Sequence, residues 1–183
     1  MKKKSTKELL AESFLELAEK KPINKITIAN IVKNCEVTQP TFYRYFKDKY
    51  DMIAWIYARL AGQFIGKIGQ NGYVWKDTLL DGMRFYAENR EFMVNALKHT
   101  GGRESFMFQM SEMNIEFIKN EIKKKLGIEN CPEDLISVTK IYCYGTNQYL
   151  YEWLTEKSDV SFEQAAQFME KSMPDILRPF LCE

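Results

Sequence analysis

The sequence predicts an all-α protein: an N-terminal three-helix head containing a helix-turn-helix, joined by a long helix to a C-terminal helical domain. Three observations carry that expectation. Apolar residues recur three and four apart along most of the 183 residues, no run alternates polar with apolar long enough for a sheet, and glycines gather at junctions between the periodic segments. The first helix begins near Ser5 or Thr6, presents Leu9, Leu10, Ser13, Phe14, Leu17 and Ala18, and stops before Pro22. Thr27 caps a short second helix with Ile28, Ile31 and Val32 inward. Cys35-Glu36-Val37 reads as a tight turn. Thr38 then caps a third helix over 39–46, with Pro40 in its first turn, where a missing N–H is tolerated, and with Phe42 and Phe46 facing the core.

Asp48 caps a fourth, longer helix carrying Met52, Ile53, Ile56 and Leu60. The stretch GQFIGKIGQNGYV, residues 62–74, holds four glycines and interrupts the pattern. Helices follow at 75–88, 91–99, 105–126, 132–155 and 161–173, separated by HTGGR, LGIENCP and EKSDV; Ser161 with Gln164 forms a capping box for the last. The division expected is a head over 1–49 and a body over 50–183, with the fourth helix running from one to the other.

Charge separates the same two regions. Residues 1–49 contain eleven Lys/Arg against six Asp/Glu, a net of +5, while residues 50–183 carry −4, which together give the overall +1. A basic head on an acidic body is the electrostatic footprint of a nucleic-acid-binding head, although a Lys-rich start is also what a solvated tail looks like. The opening MKKKSTKELL lacks the apolar run of a signal peptide, and no stretch approaches the roughly 20 apolar residues of a membrane span, so the expected location is the cytoplasm without membrane contact. The four cysteines show no CxxC spacing and His99 is the only histidine, so neither a metal nor any other cofactor is expected. Without a Gly-rich phosphate loop, HExxH or G-x-S-x-G, an enzyme is not expected either.

A short helix, a tight turn and a second short helix place the second member in a DNA major groove. With Phe42 and Phe46 inward, Thr41, Tyr43, Arg44 and Tyr45 are left on the other sides. Their chemistry suits a DNA surface, with Arg for guanine or phosphate, Thr for a thymine methyl and Tyr hydroxyls for phosphate oxygens. On periodicity alone, an ordinary helical hairpin with surface tyrosines remains an alternative.

ITIANIVKNCEVTQPTFYRYFKDKYDMIAWIY, residues 26–57, resembles the DNA-binding region of the TetR/AcrR family, whose pattern runs T-x-x-x-I…G-V-S-x-x-T-x-Y-x-[HY]-F-x-x-K. The matches are Thr27, Ile31, Val37, Thr38 in the serine place, Thr41, Tyr43, Tyr45, Phe46 and Lys49, and they cover roughly the first 60 residues. Glu36 departs from the family's Gly, which costs on the order of 1 kcal/mol if the turn needs φ > 0. The FKDKYDMIAWIY tail further resembles the subgroup of dihydroxyacetone-kinase operon regulators. The resemblance implies phosphate contacts from Thr27, Thr38, Tyr43 and Lys49, and groove contacts from Gln39, Pro40, Thr41, Arg44 and Tyr45. Lys2, Lys3 and Lys4 are candidates for phosphate or the minor groove, or else a solvated tail. It also implies a homodimer on a palindromic double-stranded operator, released or engaged by a small-molecule effector. Gating by a protein co-activator, and a helical dimerisation protein without DNA binding, are the alternatives.

In the body, the helix over 132–155 is apolar on two sides and must be covered on two sides. One reading is a doubly packed core helix. The other, which the family also implies, is a two-fold interface from Ile136, Cys143, Leu150 and Leu154 with Phe162, Ala166, Met169 and Met173. The ring- and Met-rich middle reads as core or as the wall of an effector pocket, for which Phe85, Phe117, Tyr142 and Tyr144 are the candidates.

Overall fold

The computed structural model describes residues 4–65, 67–101 and 105–182. Among them the chain forms α1 (Thr6–Ala18), α2 (Ile28–Asn34), α3 (Gln39–Tyr43), α4 (Lys49–Ile65), α5 (Trp75–Glu88), α6 (Arg90–Lys98), α7 (Phe106–Leu126), α8 (Glu133–Thr155), α9 (Phe162–Lys171) and α10 (Arg178–Leu181). Short 3₁₀ turns at Ile23–Lys25 and Asp175–Leu177 complete the order, and no described helix is long and apolar enough to cross a membrane.

Side-chain caps fix where most of these helices begin. The Ser5 hydroxyl accepts the Glu8 N–H while the Glu8 carboxylate accepts the Ser5 N–H, a capping box that satisfies two orphan donors. Those Ser5 bonds, backbone first, then the Arg59 guanidinium, hold the Glu8 carboxyl down at about 2. Arg59 thereby ties α4 to α1 at 2.6 Å. Thr27 and Asn30 form the same reciprocal pair on α2. Asp48 Oδ1 accepts the N–H groups of Tyr50 and Asp51 at the start of α4, and Ser161 with Gln164 starts α9.

In the head, Leu10, Phe14, Ile23, Ile26, Ile31 and Phe42 are wholly buried, and α4 adds Met52, Ile53 and Ile56 to them. The same apolar cluster continues down α4 through Tyr57 and Phe64 into the body. There α5 packs along α9 and α7 along α8. A second cluster at the far end joins Trp75, Ile118, Ile122, Leu135, Leu177 and Leu181.

Two boundaries differ from the sequence expectation. α3 stops at Tyr43 rather than 46, because the chain must turn within residues 44–48 to reach the Asp48 cap; the N–H groups of Tyr45 and Phe46 both close onto the Phe42 carbonyl. Beyond α9, Pro174 and Pro179 break the apolar period, yet Leu177 and Leu181 are buried and α10 packs against α7.

Candidate nucleic-acid interface

The turn between α2 and α3 closes through the Val37 N–H onto the Val32 carbonyl at 2.9 Å. Glu36 sits in it at φ 56, in the left-handed region where an L side chain costs about 1–2 kcal/mol. With this bend the Val37 N–H closes the turn and Thr38 caps the next helix. The Thr38 hydroxyl accepts the Thr41 N–H and shares a 2.9 Å hydrogen bond with the Thr41 hydroxyl, so both threonines are held at the helix start.

At 100° per residue, Gln39, Pro40, Tyr43 and Arg44 fall within an arc of about 140° on the side of α3 away from Phe42. All four are exposed, Tyr43 at 56%, and Tyr45 follows in the turn at 37%. Phe42 meets the Tyr43 ring edge-on at 5.6 Å and the Phe46 ring at 5.7 Å, which holds the outward tyrosine from behind. Thr27 is exposed at the start of α2.

Lys49 is placed differently from the expected phosphate contact. Its Nζ donates to the carbonyls of Ile23 and Ile26 at 3.0 Å each and to that of Asn24 at 3.4 Å, which engages all three donors of the ammonium. Burial lowers its pKa. The residue therefore caps the Ile23–Lys25 turn and locks the α1–α2 connection to the start of α4. The Lys4 ammonium pairs with Glu12 at 2.8 Å; Lys2 and Lys3 lie outside the described residues.

A single side chain fastens the same connection to the body. Asn95 on α6 donates to the carbonyls of Ala18 at 2.7 Å and Lys21 at 3.0 Å and accepts the Ile23 N–H at 2.9 Å. Near it, Phe92 of α6 packs edge-on against Phe14 of α1 at 6.5 Å.

Below the head, α4, α5, α7, α8 and α9 enclose a cavity of about 50 Å³ whose wall includes Tyr57, Phe64, Thr78, Gly82, Tyr86, Asn114, Cys143 and Asn147. The Tyr57 and Tyr86 hydroxyls bond each other at 2.8 Å, and burial raises the pKa of both, that of Tyr86 to about 12. Asn147 donates to the Ser111 hydroxyl at 2.8 Å. Thr78 is buried, and its side chain interacts with the Tyr73 hydroxyl, off the cavity wall.

The four residues expected around an effector do not gather there. Tyr142 is buried as a strut, accepting from Trp75 Nε1 and donating to the Met169 carbonyl at 3.1 Å each. Phe117 stacks on Trp75 at 6.0 Å, Phe85 packs against Phe64 and Tyr86, and Tyr144 points outward to Glu112. None of these four lines the cavity. The signal that sequence reasoning missed is on α5: Thr78, Gly82 and Tyr86, spaced by four, make a stripe mixing polar and small residues where a plain core helix would be aliphatic.

Most of the residues expected at a dimer interface are covered by the chain itself. Cys143, Leu150, Leu154, Ala166, Met169 and Met173 are buried within the single chain, and Ile136 and Phe162 are half-buried. The predicted stripe of Ile136, Cys143, Leu150 and Leu154 on α8 faces inward, as does a second of Leu135, Tyr142, Tyr149 and Trp153, and a third faces out: Ile141 at 73% exposure, Tyr144 at 44%, then Gly145 and Gln148. With Phe168 of α9, 47% exposed, Ile141 and Gly145 border an open apolar groove of about 380 Å³.

Comparison with known proteins covers both halves of the fold. Residues 14–55 match the family described as bacterial regulatory proteins, tetR family, and residues 74–175 match the one described as transcriptional regulator C-terminal region. The chain is 27% identical to the HTH-type dhaKLM operon transcriptional activator DhaS of Lactococcus lactis subsp. lactis over 87 residues. That match spans about half of each protein, 48% of this chain and 46% of the relative. A solved structure of the dihydroxyacetone kinase operon activator DhaS is similar over 96% of this chain and 98% of that one, with a TM-score of 0.61 at 17% identity. A TetR transcriptional regulator from Rhodococcus sp. RHA1 is similar over 92% and 93%, with a TM-score of 0.65 at 15% identity; at such identities these two establish the fold.

Proposed function

The chain belongs to the tetR family of bacterial regulatory proteins, and from that premise we infer that it acts as a homodimer on a palindromic operator and is switched by a small molecule held beside α4. It is a DNA-binding transcription regulator rather than an enzyme; its place of action is the cytoplasm, beside the chromosome. Gln39, Pro40, Thr41, Arg44 and Tyr45 follow the major groove, and Thr27, Thr38 and Tyr43 take phosphates. Lys49 supports them by holding the α1–α2 connection and adding positive charge.

The observation that carries the switch is that one helix serves both regions. α4 is anchored in the head at Lys49, through its ammonium, and lines the cavity with Tyr57 and Phe64. An occupant that displaces Phe64 tilts α4 and alters the distance between the two α3 helices. It does so only if it binds the two spacings with different affinity, and a coupling of about 1–3 kcal/mol changes operator affinity about 5–150-fold.

For the dimer, the outward stripe of Ile141, Tyr144 and Gly145 with Phe168 is the self-complementary patch, Gly145 allowing close approach of two α8 helices. Ile141→Arg then gives monomers by light scattering and loses operator binding, because half-sites one helical turn apart need two linked heads. A folded monomer with undiminished operator affinity contradicts the dimer. Footprinting the chain's own promoter tests the whole reading: two protected half-sites are expected, and no protection overturns it. The similarity to a relative named as an activator supports activation as an output, which the footprint's position against the polymerase site separates from repression.

A further inference from the structure

We propose that the phosphate contact expected of Lys49 is made instead by Lys25 and Lys47, which with the exposed Thr27 form a phosphate clamp that Lys49 assembles without touching DNA; this rests on the reading of the head as DNA-binding. The Lys49 ammonium has its three donors engaged by the carbonyls of Ile23, Asn24 and Ile26. Turning it outward to a phosphate would strand those carbonyls. Two of them, those of Asn24 and Ile26, lie on either side of Lys25, so one ammonium fixes the backbone that carries Lys25, and it does so from a position two residues past Lys47. The Ile23–Lys25 turn and the start of α4 are thereby drawn together, with Thr27 one peptide further on.

Lys25, Thr27 and Lys47 are all exposed. The Thr27 hydroxyl accepts the Asn30 N–H at 3.2 Å, which leaves its own proton for an outside acceptor. Three other lysines of the head are taken up within it: Lys4 pairs with Glu12, Lys7 lies over the Phe46 and Trp55 rings at 4.9 and 4.8 Å, and Lys21 donates to Asn30 Oδ1 at 3.1 Å. Among the described residues the ammonium groups of Lys25 and Lys47 have no hydrogen-bond, ion-pair or ring partner. The carboxylates nearest to Lys47 in the chain turn to the backbone instead: Asp48 accepts the N–H groups of Tyr50 and Asp51, and Asp51 accepts the N–H of Lys47 at 3.0 Å. Two free point charges and a hydroxyl donor, held side by side, are the groups that position a protein on a nucleic-acid backbone.

The experiment measures the salt dependence of DNA binding by the full chain on a fragment of its own promoter and on a random-sequence duplex of the same length, since phosphate contacts act on both. Lys25→Gln, Lys47→Gln and Lys49→Met are compared with the wild type, and Lys157→Gln removes the same charge from an exposed position in the body. Lys25→Gln and Lys47→Gln are each expected to flatten the log–log slope by about 0.9 per bound protomer on both duplexes, with the melting temperature unchanged. Lys49→Met is expected to change the slope less than half as much, yet to lower the melting temperature and to speed amide exchange at Lys25 and Ile26, whose N–H groups close the turn. Lys157→Gln is expected to change neither. An unchanged slope in Lys25→Gln or in Lys47→Gln overturns the clamp, and flattening by Lys49→Met alone returns the phosphate to Lys49. Equal flattening by Lys157→Gln reduces the effect to net charge and overturns the clamp as well. A wild type that binds neither duplex, or binds without salt dependence, overturns the DNA-binding reading itself.

Discussion

Head and body bury their polar groups in opposite ways. In the head, Ser5, Thr27, Thr38 and Asp48 meet backbone N–H groups two or three residues away, and the interior is apolar except for Ser13, which donates to the Ile31 carbonyl at 2.8 Å. In the body the polar groups lie inside and far apart in sequence. Tyr57 meets Tyr86, Trp75 meets Tyr142, and Asn147 meets Ser111. The contrast amounts to a division of labour. A head held by local caps and close apolar packing keeps one shape, while an interior with hydroxyls and spare volume has a reason to change when something enters it.

The largest expected effect is in the head. Phe42→Ala removes a wholly buried ring and is expected to cost about 3–5 kcal/mol in denaturant unfolding, with loss of DNA retention. An unchanged midpoint would break the picture of a tightly packed head. Next comes the junction. Asn95→Ala removes three hydrogen bonds to the α1–α2 connection, about 1.5–4.5 kcal/mol at about 0.5–1.5 each. Amide exchange at Ile23 should accelerate while exchange in α8 stays as it was; equal acceleration in both would mean that Asn95 supports the whole fold rather than the head's attachment.

In the body, Tyr57→Phe leaves the buried Tyr86 hydroxyl without its partner and is expected to cost about 1–3 kcal/mol. pH sharpens the contrast. The folded pKa values of Tyr57 and Tyr86 are raised by burial above the ordinary 10, that of Tyr86 to about 12. Their contribution is therefore full below pH 10 and lost as pH rises toward 12. Glu8 in the head has the opposite sign: its carboxyl is lowered from 4.5 to about 2, so its contribution is present above 4.5 and lost as pH falls toward 2. Because Glu8 is exposed, the acid effect is small and confined to the α1 end. Melting temperatures across pH should fall more steeply on the alkaline side, and Tyr57→Phe should flatten that limb. The smallest effect is at the turn. Glu36→Gly relieves φ 56 but frees the unfolded chain, for a net gain under about 1 kcal/mol, or at most about 2–4 °C in the melting temperature.

The same contrast decides what the sequence could reveal. Caps at Ser5, Thr27, Thr38, Asp48 and Ser161 are legible because donor and acceptor are neighbours in the chain, and Glu36 in a glycine's place already points to a positive φ. Which way α8 faces is not legible. Ile136, Cys143, Leu150 and Leu154 form a helical stripe as regular as the outward Ile141, Tyr144 and Gln148, and periodicity carries no information about which stripe a neighbouring helix covers. Lys49 and Asn95 are hidden for a different reason. Their partners are backbone carbonyls and one N–H, far away in sequence for Asn95, and main-chain groups leave no trace in side-chain patterns.

The central claim is that α3 reads DNA from a basic head, and it is tested most directly by fluorescence anisotropy on a fragment of the chain's own promoter over a salt series. Log affinity is expected to fall linearly with log salt, by about 0.9 for each phosphate charge neutralised. Arg44→Ala is expected to weaken binding by about 1–3 kcal/mol if Arg44 reads a base. Binding that is indifferent to salt and unchanged in Arg44→Ala would contradict the claim.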